Sequence, residues 1–330
     1  MASMIESYFR PQLEQRRERL QTLIASTPGE VRLERLLVEV DAALERAAAG
    51  TFGLCETCHD PVEPERLIAD PLLRFCLDHL SVPEQRALEQ DLTLAARIQR
   101  GLLPPAEIAS AGWEVRYHWE PAGLVSGDYC DVIGGGNAHA AAGLTFVFGD
   151  ISGKGVAAAM LMSHLHATFR SLLGVTECAA ELVGRANRVF RESALSPHFA
   201  TLVCGRALPA GEVELCNAGH LPPRLVTASG LRAIGTTGLP VGAFYSTDFT
   251  SLRVALQPGE ALVLFTDGLT EARDAAGREY GEERLDALLR RCGPAPAAEL
   301  IAACRADLAA HLGDMRVSDD LTLMVLRRSG

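Results

Sequence analysis

The chain opens with apolar residues recurring every three to four positions among charged ones. Leu13, Leu20 and Leu23 or Ile24 share one stripe between Pro11 and Ala25, which predicts an amphipathic helix. Ser26-Thr27-Pro28-Gly29-Glu30 breaks that pattern. Thr27 with Glu30 three residues on, and Pro28 at the first helical position, predicts the start of a second helix. Its stripe is Leu33, Leu37, Val40, Leu44 and Ala47, running to about Ala49. Two striped helices joined by a short turn make either a hairpin or, through the same stripes, a dimer. Ser81-Val82-Pro83-Glu84 predicts a third helix start. Leu88, Ala95 and Leu102 follow at heptad spacing, with Leu92 and Ile98 nearby, and the helix is expected to end at Leu103 before Pro104-Pro105. Such a connector is a rigid spacer, a transmitting element or a dimer seam.

From about Trp113 the period changes. Leu144 to Phe148, Ala261 to Phe265 and Leu321 to Leu326 are continuous β-rich apolar runs, as expected of buried strands. About four strands are expected between Phe199 and Thr266, including a hairpin at Gly211-Glu212, and a last strand from Leu321 to Arg327. Helices are expected from Val156 to about Leu173, Ala179 to Ser193, Glu282 to Arg291 and Ala297 to His311. Helices segregated from antiparallel strands predict an α+β layered domain.

Aspartates sit at the ends of these strands. The clusters are Ser126-Gly127-Asp128-Tyr129-Cys130-Asp131, Phe148-Gly149-Asp150-Ile151-Ser152-Gly153-Lys154-Gly155, Phe265-Thr266-Asp267-Gly268 and Val317-Ser318-Asp319-Asp320-Leu321-Thr322. If those ends converge, several carboxylates share one small volume and cannot all stay ionised without a counterion. Mg²⁺ or Mn²⁺ answers that need. Gly153 and Gly155, beside a helix start, either cradle a phosphate or only permit the turn.

A second chemistry lies upstream. Cys55-Glu56-Thr57-Cys58 and Cys76-Leu77-Asp78-His79 are two pairs, each with two residues between ligands, separated by seventeen residues. Cys55, Cys58, Cys76 and His79 therefore form a candidate tetrahedral Zn²⁺ set. No thioredoxin-like βαβ unit surrounds Cys55 and Cys58, which argues against a redox pair. The remaining cysteines have no mutual ligand spacing and read as core or surface thiols.

Composition narrows the classes further. The 330 residues are 48% hydrophobic and 22% charged, enough for a sizeable core, and the formal net charge is −11. That acidity argues against nucleic acid and against an anionic membrane surface as partners. Lys154 is the only lysine. Residues Met1 to Arg10 have no apolar signal core, and no run approaches the ~18 apolar residues of a membrane span. A cytoplasmic protein is expected.

The acidic clusters resemble the metal-dependent protein phosphatases (PPM, PP2C-like), in the bacterial branch typified by SpoIIE and the stress-response regulators of sigma factors. The match includes Arg97-Ile98-Gln99-Arg100-Gly101-Leu102-Leu103-Pro104, His198-Phe199-Ala200-Thr201-Leu202, Asn217-Ala218-Gly219-His220 and Gly238-Leu239-Pro240-Val241-Gly242. The resemblance implies a four-layer α/β/β/α sandwich, two antiparallel sheets flanked by helices, over residues 104–330. It implies two Mn²⁺ or Mg²⁺ ions that activate a water. Asp150 would bridge them, with the Ile151 carbonyl beside it. Asp267 and Asp319 would complete one ion, Asp128 would hold the other side largely through water, and Asp131 and Asp320 would be more distant neighbours. Gly153, Lys154 and Gly155 would lie near the phosphate. Eukaryotic relatives carry Asp-Gly-His-Gly where this chain has Asp150-Ile151-Ser152-Gly153, so the general acid is unassigned; His220 is a candidate for it or a structural histidine. No Cys-x5-Arg loop supports a cysteine phosphatase. By resemblance the substrate is a phosphorylated STAS-type anti-sigma-factor antagonist in a partner-switching pathway.

Residues 51–80 are similar to DksA/TraR-type zinc fingers, through Gly50-Thr51-Phe52-Gly53-Leu54-Cys55, Pro61-Val62, Pro64-Glu65-Arg66-Leu67 and the second knuckle. His79 stands where that family commonly has cysteine, and the turn at residues 27–30 lacks the paired aspartates of its longer relatives. The expected plan is a hairpin over 1–50, a finger over 51–80, a connector over 81–103 and a phosphatase domain, assembled as a homodimer through the N-terminal and connector helices. The competing reading is a non-catalytic docking protein that contacts transcription machinery through the finger and hairpin.

Overall fold

The computed structural model describes residues 2–26, 29–80, 82–134, 143–176, 178–193, 198–244 and 248–329. The chain divides into two compact units, Met1–Asp91 and Leu92–Gly330. In the first, α1 (Ala2–Ser26) and α2 (Val31–Ala48) pack as a hairpin. Phe9 and Leu13 from α1 and Ala43 and Ala47 from α2 join Phe52, Cys55, Val62, Leu67 and Cys76 in one core. The stripe of α2 is thus spent inside the hairpin. Helix α1 starts before Pro11 instead of at it, with Pro11 inside the helix. Burial of Phe9 and Leu13 on either side of that proline offsets its missing N–H. Leu23 is exposed, so the stripe stops at Leu20. Helix α2 begins after Glu30, which makes no side-chain cap bond; Thr27 and Pro28 lie outside the described residues.

The finger contributes the short helix α3 (Pro64–Ala69), with proline at its first position. Helix α4 (Val82–Leu102) contains the division between the units. The expected cap residue Ser81 is outside the described residues. The heptad positions do not form the buried side of α4: Leu88 is exposed, while Ala96 and Gln99 are buried.

The second unit runs β1 (Glu107–Ser110), β2 (Trp113–Glu120), β3 (Tyr129–Gly134), β4 (Leu144–Ile151), α5 (Gly155–Leu172), α6 (Ala179–Ser193), β5 (Ala200–Ala207), β6 (Glu212–Ala218), β7 (Arg224–Thr227), β8 (Gly230–Ala233), β9 (Leu252–Ala255), β10 (Ala261–Phe265), α7 (Asp267–Thr270), α8 (Glu282–Cys292), α9 (Ala297–Leu312) and β11 (Leu321–Arg328). One sheet has the order β1-β2-β11-β10-β7-β8 and the other β3-β4-β5-β6-β9. Every pairing between these strands is antiparallel. Six strands occupy the stretch where about four were expected; β7, β8 and β9 are only four residues each, too short for a clear period-2 signal.

Alternation along the strands builds the layers. Leu262, Leu264, Met324 and Leu326 meet Cys130, Phe146, Phe148 and Val203 between the sheets. Their neighbours Val263, Phe265, Leu323 and Val325 face outward onto Leu285, Leu289, Leu300 and Cys304 of α8 and α9. On the other side Tyr129, Val147, Ile151 and Leu202 meet Met162, Phe169, Leu182 and Phe190 of α5 and α6. These strands are apolar on both faces because both faces are covered. The architecture is the expected α/β/β/α sandwich. Among the described residues no helix is long and apolar enough to cross a membrane.

Candidate active site and cysteine cluster

Antiparallel pairing decides which strand ends meet. Tyr129 pairs with Gly149, so the residue before β3 lies beside the end of β4. Phe265 pairs with Leu323, so the residue after β10 lies beside the start of β11. Asp128, Asp150, Asp267 and the Asp319-Asp320 pair occupy those ends. Two contacts join the sheets there. Thr266 Oγ1, at the end of β10, donates to Asp128 Oδ2 at 3.0 Å. Thr322 Oγ1, on β11, donates to the same oxygen. A Cβ on Gly127 would stand 3.2 Å from the Ile151 carbonyl oxygen and 3.3 Å from Asp150 Oδ1, a crowding that glycine avoids. A Cβ on Gly268 would sit 1.9 Å from the Asp320 carbonyl oxygen.

The electrostatics follow from crowding. Burial first, and then the charges of Asp150 and Asp320, push the Asp128 carboxyl well above the usual range against the pull of its threonine donors. Burial, then Asp267 and Asp319, raise Asp150 to about 7. Burial, then Asp319 and Glu271, raise Asp267. Lys154 gives partial relief, with Nζ 2.8 Å from Asp319 Oδ2 and donating to the Ser318 carbonyl at 3.3 Å. The donors are all oxygen, they repel one another, and the Ile151 carbonyl lies among them. That chemistry fits hard divalent cations. These carboxylates do not close as tightly as the cysteine cluster: among the described residues, only that group draws its donor atoms within 4.8 Å of one another.

Not every expected residue joins the cluster. Asp131 alternates away along β3, fully buried, and accepts from Arg170 Nε at 2.9 Å and Nη2 at 2.8 Å. His166 Nε2 is 3.5 Å from the same carboxylate. Asp320 shapes a loop: its oxygens accept from the backbone N–H groups of Ala122 and Gly127, each at 2.8 Å. Gly153 and Gly155 hold left-handed φ values of 102° and 76° around Lys154, which precedes α5. His198 Nδ1 donates to the Ser152 carbonyl at 3.0 Å at that turn.

His220 is a core residue. Its Nε2 donates to the Phe265 carbonyl at 3.2 Å and its Nδ1 accepts from Thr201 Oγ1 at 3.0 Å. Burial depresses its pKa to about 4, so at neutral pH it is the uncharged imidazole, with no imidazolium proton to pass to a leaving group. The sequence does not single out Thr266, Thr322 or Gln99. Thr266 precedes Asp267 and Thr322 follows Asp320 by two residues, the one local signal for them, while no acidic residue adjoins Gln99.

In the first unit, the ligand atoms of Cys55, Cys58, Cys76 and His79 all lie within 4.8 Å of one another. Cys58 Sγ is 3.8 Å from Cys76 Sγ, which is 3.3 Å from His79 Nδ1. Burial acts to raise the Cys55 thiol, but backbone amides of Cys58, Cys76 and Thr57 prevail and bring it to about 6. The neighbouring Cys58 thiol, beside Cys55 and Cys76, goes the other way and is pushed up to about 12, as expected where crowded thiols share one ionisation. Three sulfurs and one imidazole nitrogen fit Zn²⁺.

Residues 140–329 match the family model of Stage II sporulation protein E (SpoIIE). Residues 50–78 match that of the prokaryotic dksA/traR C4-type zinc finger, one residue short of His79. Protein IcfG of Synechocystis sp. is 28% identical over 268 residues, covering 72% of this chain, and the chain spans 42% of that relative's length. Phosphoserine phosphatase RsbU of Bacillus subtilis is 25% identical over 247 residues, covering 74% of this chain and 72% of RsbU. Among solved structures, the SiaA-PP2C domain of Pseudomonas aeruginosa superposes with a TM-score of 0.63 at 22% identity, covering 75% of this chain and 99% of that domain. The RsbU and RsbW domains of Rv1364c from Mycobacterium tuberculosis give 0.55 at 27% identity, covering 69% of this chain and 63% of theirs.

Proposed function

The chain belongs to the SpoIIE family, and on that premise we propose that it is a metal-dependent phosphatase acting on phosphorylated serine or threonine of a protein. The observation that carries this reading is the meeting of Asp128, Asp150, Asp267 and Asp319 where the two sheets end, with the first three carboxyls raised by burial and mutual charge. Asp150 and the Ile151 carbonyl would help to hold two Mg²⁺ or Mn²⁺ ions. Asp267 and Asp319 would complete one, and Asp128 the other. When bound, such a pair supplies nucleophile activation and neutralises charge on the phosphoryl group.

The chain's own residues supply the rest. Thr266 and Thr322 orient Asp128 by donating to its Oδ2. Lys154, exposed and paired with Asp319, would meet an entering phosphate by exchanging that partner for it. The turn Gly153-Lys154-Gly155 offers backbone amides at the start of the 18-residue α5. In this proposal Asp131 stands outside the cation set, held by Arg170.

A protein substrate is favoured by exposed apolar side chains beside these segments. Leu124 lies in the loop held by Asp320, and Val156 and Met160 follow the glycine turn. The relative RsbU is a phosphoserine phosphatase. Together with the family resemblance, this supports a phosphorylated STAS-type protein in a partner-switching pathway of the cytoplasm. The exposed Leu88, Leu94 and Ile98 of α4 support a homodimer seam on that helix, and the Cys55, Cys58, Cys76 and His79 cluster a structural Zn²⁺.

The test is phosphate release from a phosphoserine peptide and an aryl phosphate with Mn²⁺ titrated. The parent is expected to require the metal. Asp150→Asn is expected to lose at least ~10²-fold in rate, roughly 3 kcal/mol of transition-state stabilisation. Metal-independent turnover, or near-native activity of Asp150→Asn, would refute the assignment and favour the docking-protein alternative.

A further inference from the structure

Gln99 is 2% exposed, on the part of α4 that belongs to the second unit. Its Nε2 donates to the Ser126 carbonyl at 2.6 Å and its Oε1 accepts from the Ser126 N–H at 2.9 Å. One side chain thus clamps both polar groups of one buried backbone residue. A carboxamide offers a donor and an acceptor on two neighbouring atoms of the same tip. Ser126 is fully buried, and its Oγ accepts from the Asp128 N–H at 3.0 Å. Two short steps therefore lead from α4 to Asp128.

The loop between β2 and β3 has no ladder of its own; regular pairing resumes at Tyr129. It is fixed from one side by Asp320, which binds the Ala122 and Gly127 amides. From the other side it is fixed by Gln99, with Ala96 of α4 packed against Val125 of the loop and Ala159 of α5. We propose that Gln99 is a positioning residue for the acidic site: it sets the place of Asp128 through Ser126, and so the affinity for the divalent cation on that side, without touching cation or substrate. This rests on the metal-dependent reading above.

Replacement by leucine would leave two buried backbone groups unpaired, which forces the loop toward water. Replacement by glutamate keeps the acceptor, loses the donor and sets a carboxylate against the Ser126 carbonyl. The test uses full-length parent, Gln99→Leu and Gln99→Glu. Mn²⁺ binding is followed by electron paramagnetic resonance without substrate, alongside kcat at saturating Mn²⁺ and the melting temperature. Both variants are expected to bind the weaker Mn²⁺ at least roughly tenfold less tightly, with kcat at saturation within about threefold of the parent. Gln99→Glu, which keeps the size of the side chain and its acceptor, keeps the question open to measurement should Gln99→Leu fold poorly. Unchanged Mn²⁺ affinity with a lowered melting temperature would reduce Gln99 to a structural tie and overturn the proposal. A fall in kcat with no change in Mn²⁺ affinity overturns it as well. A parent that binds Mn²⁺ but releases no phosphate refutes the phosphatase reading alone, since the binding comparison still decides the clamp.

Discussion

Thr322→Val isolates one hydrogen bond at the centre of the site. Valine keeps the shape of threonine and replaces its hydroxyl by a methyl group. In the parent, Thr322 Oγ1 and Thr266 Oγ1 both donate to Asp128 Oδ2, and Asp128 is 1% exposed. A hydrogen bond to a charged acceptor is worth about 1.5–3 kcal/mol. The bond favours the ionised carboxylate, which is the form a cation binds; it opposes the burial and the Asp150 charge that raise the Asp128 pKa. Its loss is therefore felt mainly as weaker cation binding, by about 10- to 150-fold. The Thr322 backbone N–H keeps its own partner, Thr266 Oγ1 at 3.0 Å, so the strand end is expected to survive. Thr266→Val would remove that acceptor too and serves as the harsher comparison. The assay is calorimetric Mn²⁺ titration, paired with the Mn²⁺ concentration that half-activates phosphate release. Unchanged Mn²⁺ affinity in a folded Thr322→Val protein would refute the reasoning, because Asp128 would then not bear on the cation.

Asp131→Asn is expected to act on stability rather than on metal binding. It breaks the pair with half-exposed Arg170, a loss of about 1–3 kcal/mol, below that of a fully buried pair. Weaker Mn²⁺ binding with an unchanged melting temperature would return Asp131 to the cation set. Cys58→Ala is expected to remove one equivalent of zinc by elemental analysis and to unfold the finger around residues 51–80 while phosphate release persists; native protein without zinc would sink this. In the absence of Mg²⁺ and Mn²⁺, stability should fall as pH rises. Asp150 titrates at about 7 in the folded chain against the ordinary carboxylate value of about 3.9 when unfolded. The stability it contributes is thus full below about pH 4 and lost as pH rises through about 7. His220, depressed to about 4, has the opposite sign, its stability being lost as pH falls from about 6.5. Asp128 and Asp267, raised by the same crowding, share the sign of Asp150, so a fall as pH rises through about 7 belongs to the acidic cluster as a whole. Asp150→Asn should reduce that slope; a parent melting temperature that stays level there would contradict the crowded-carboxylate picture.

Much of the fold was legible because periodicity and burial agree. The runs at Ala261 to Phe265 and Leu321 to Leu326 are apolar at every position, and both of their faces are covered, by the partner sheet and by α8 and α9. The helix at Ala179–Ser193 appears with the expected bounds. The finger was readable from ligand spacing, since two Cys-x-x-ligand pairs match the spacing of zinc ligands and the fold draws those four ligand atoms within 4.8 Å of one another. Boundaries failed where packing outweighs a local signal. Pro11 marks a helix start in sequence but lies inside α1, held between buried Phe9 and Leu13.

Read along the chain, the residue types at the strand ends are plain: aspartates at 128, 131, 150, 267, 319 and 320, glycines among them, and a single lysine after Asp150. Which of them meet depends on the folded packing. Strand alternation sends Asp131 to Arg170 on the far side of its sheet. Both oxygens of Asp320 are taken by backbone amides of a loop more than 190 positions away in the chain. Gln99 and Thr322, unremarkable in sequence, lie against Ser126 and Asp128. The reason is physical: alternation and helical period are local and can be read along the chain, whereas the partner of a buried polar group is set by sheet register and layer packing between distant segments.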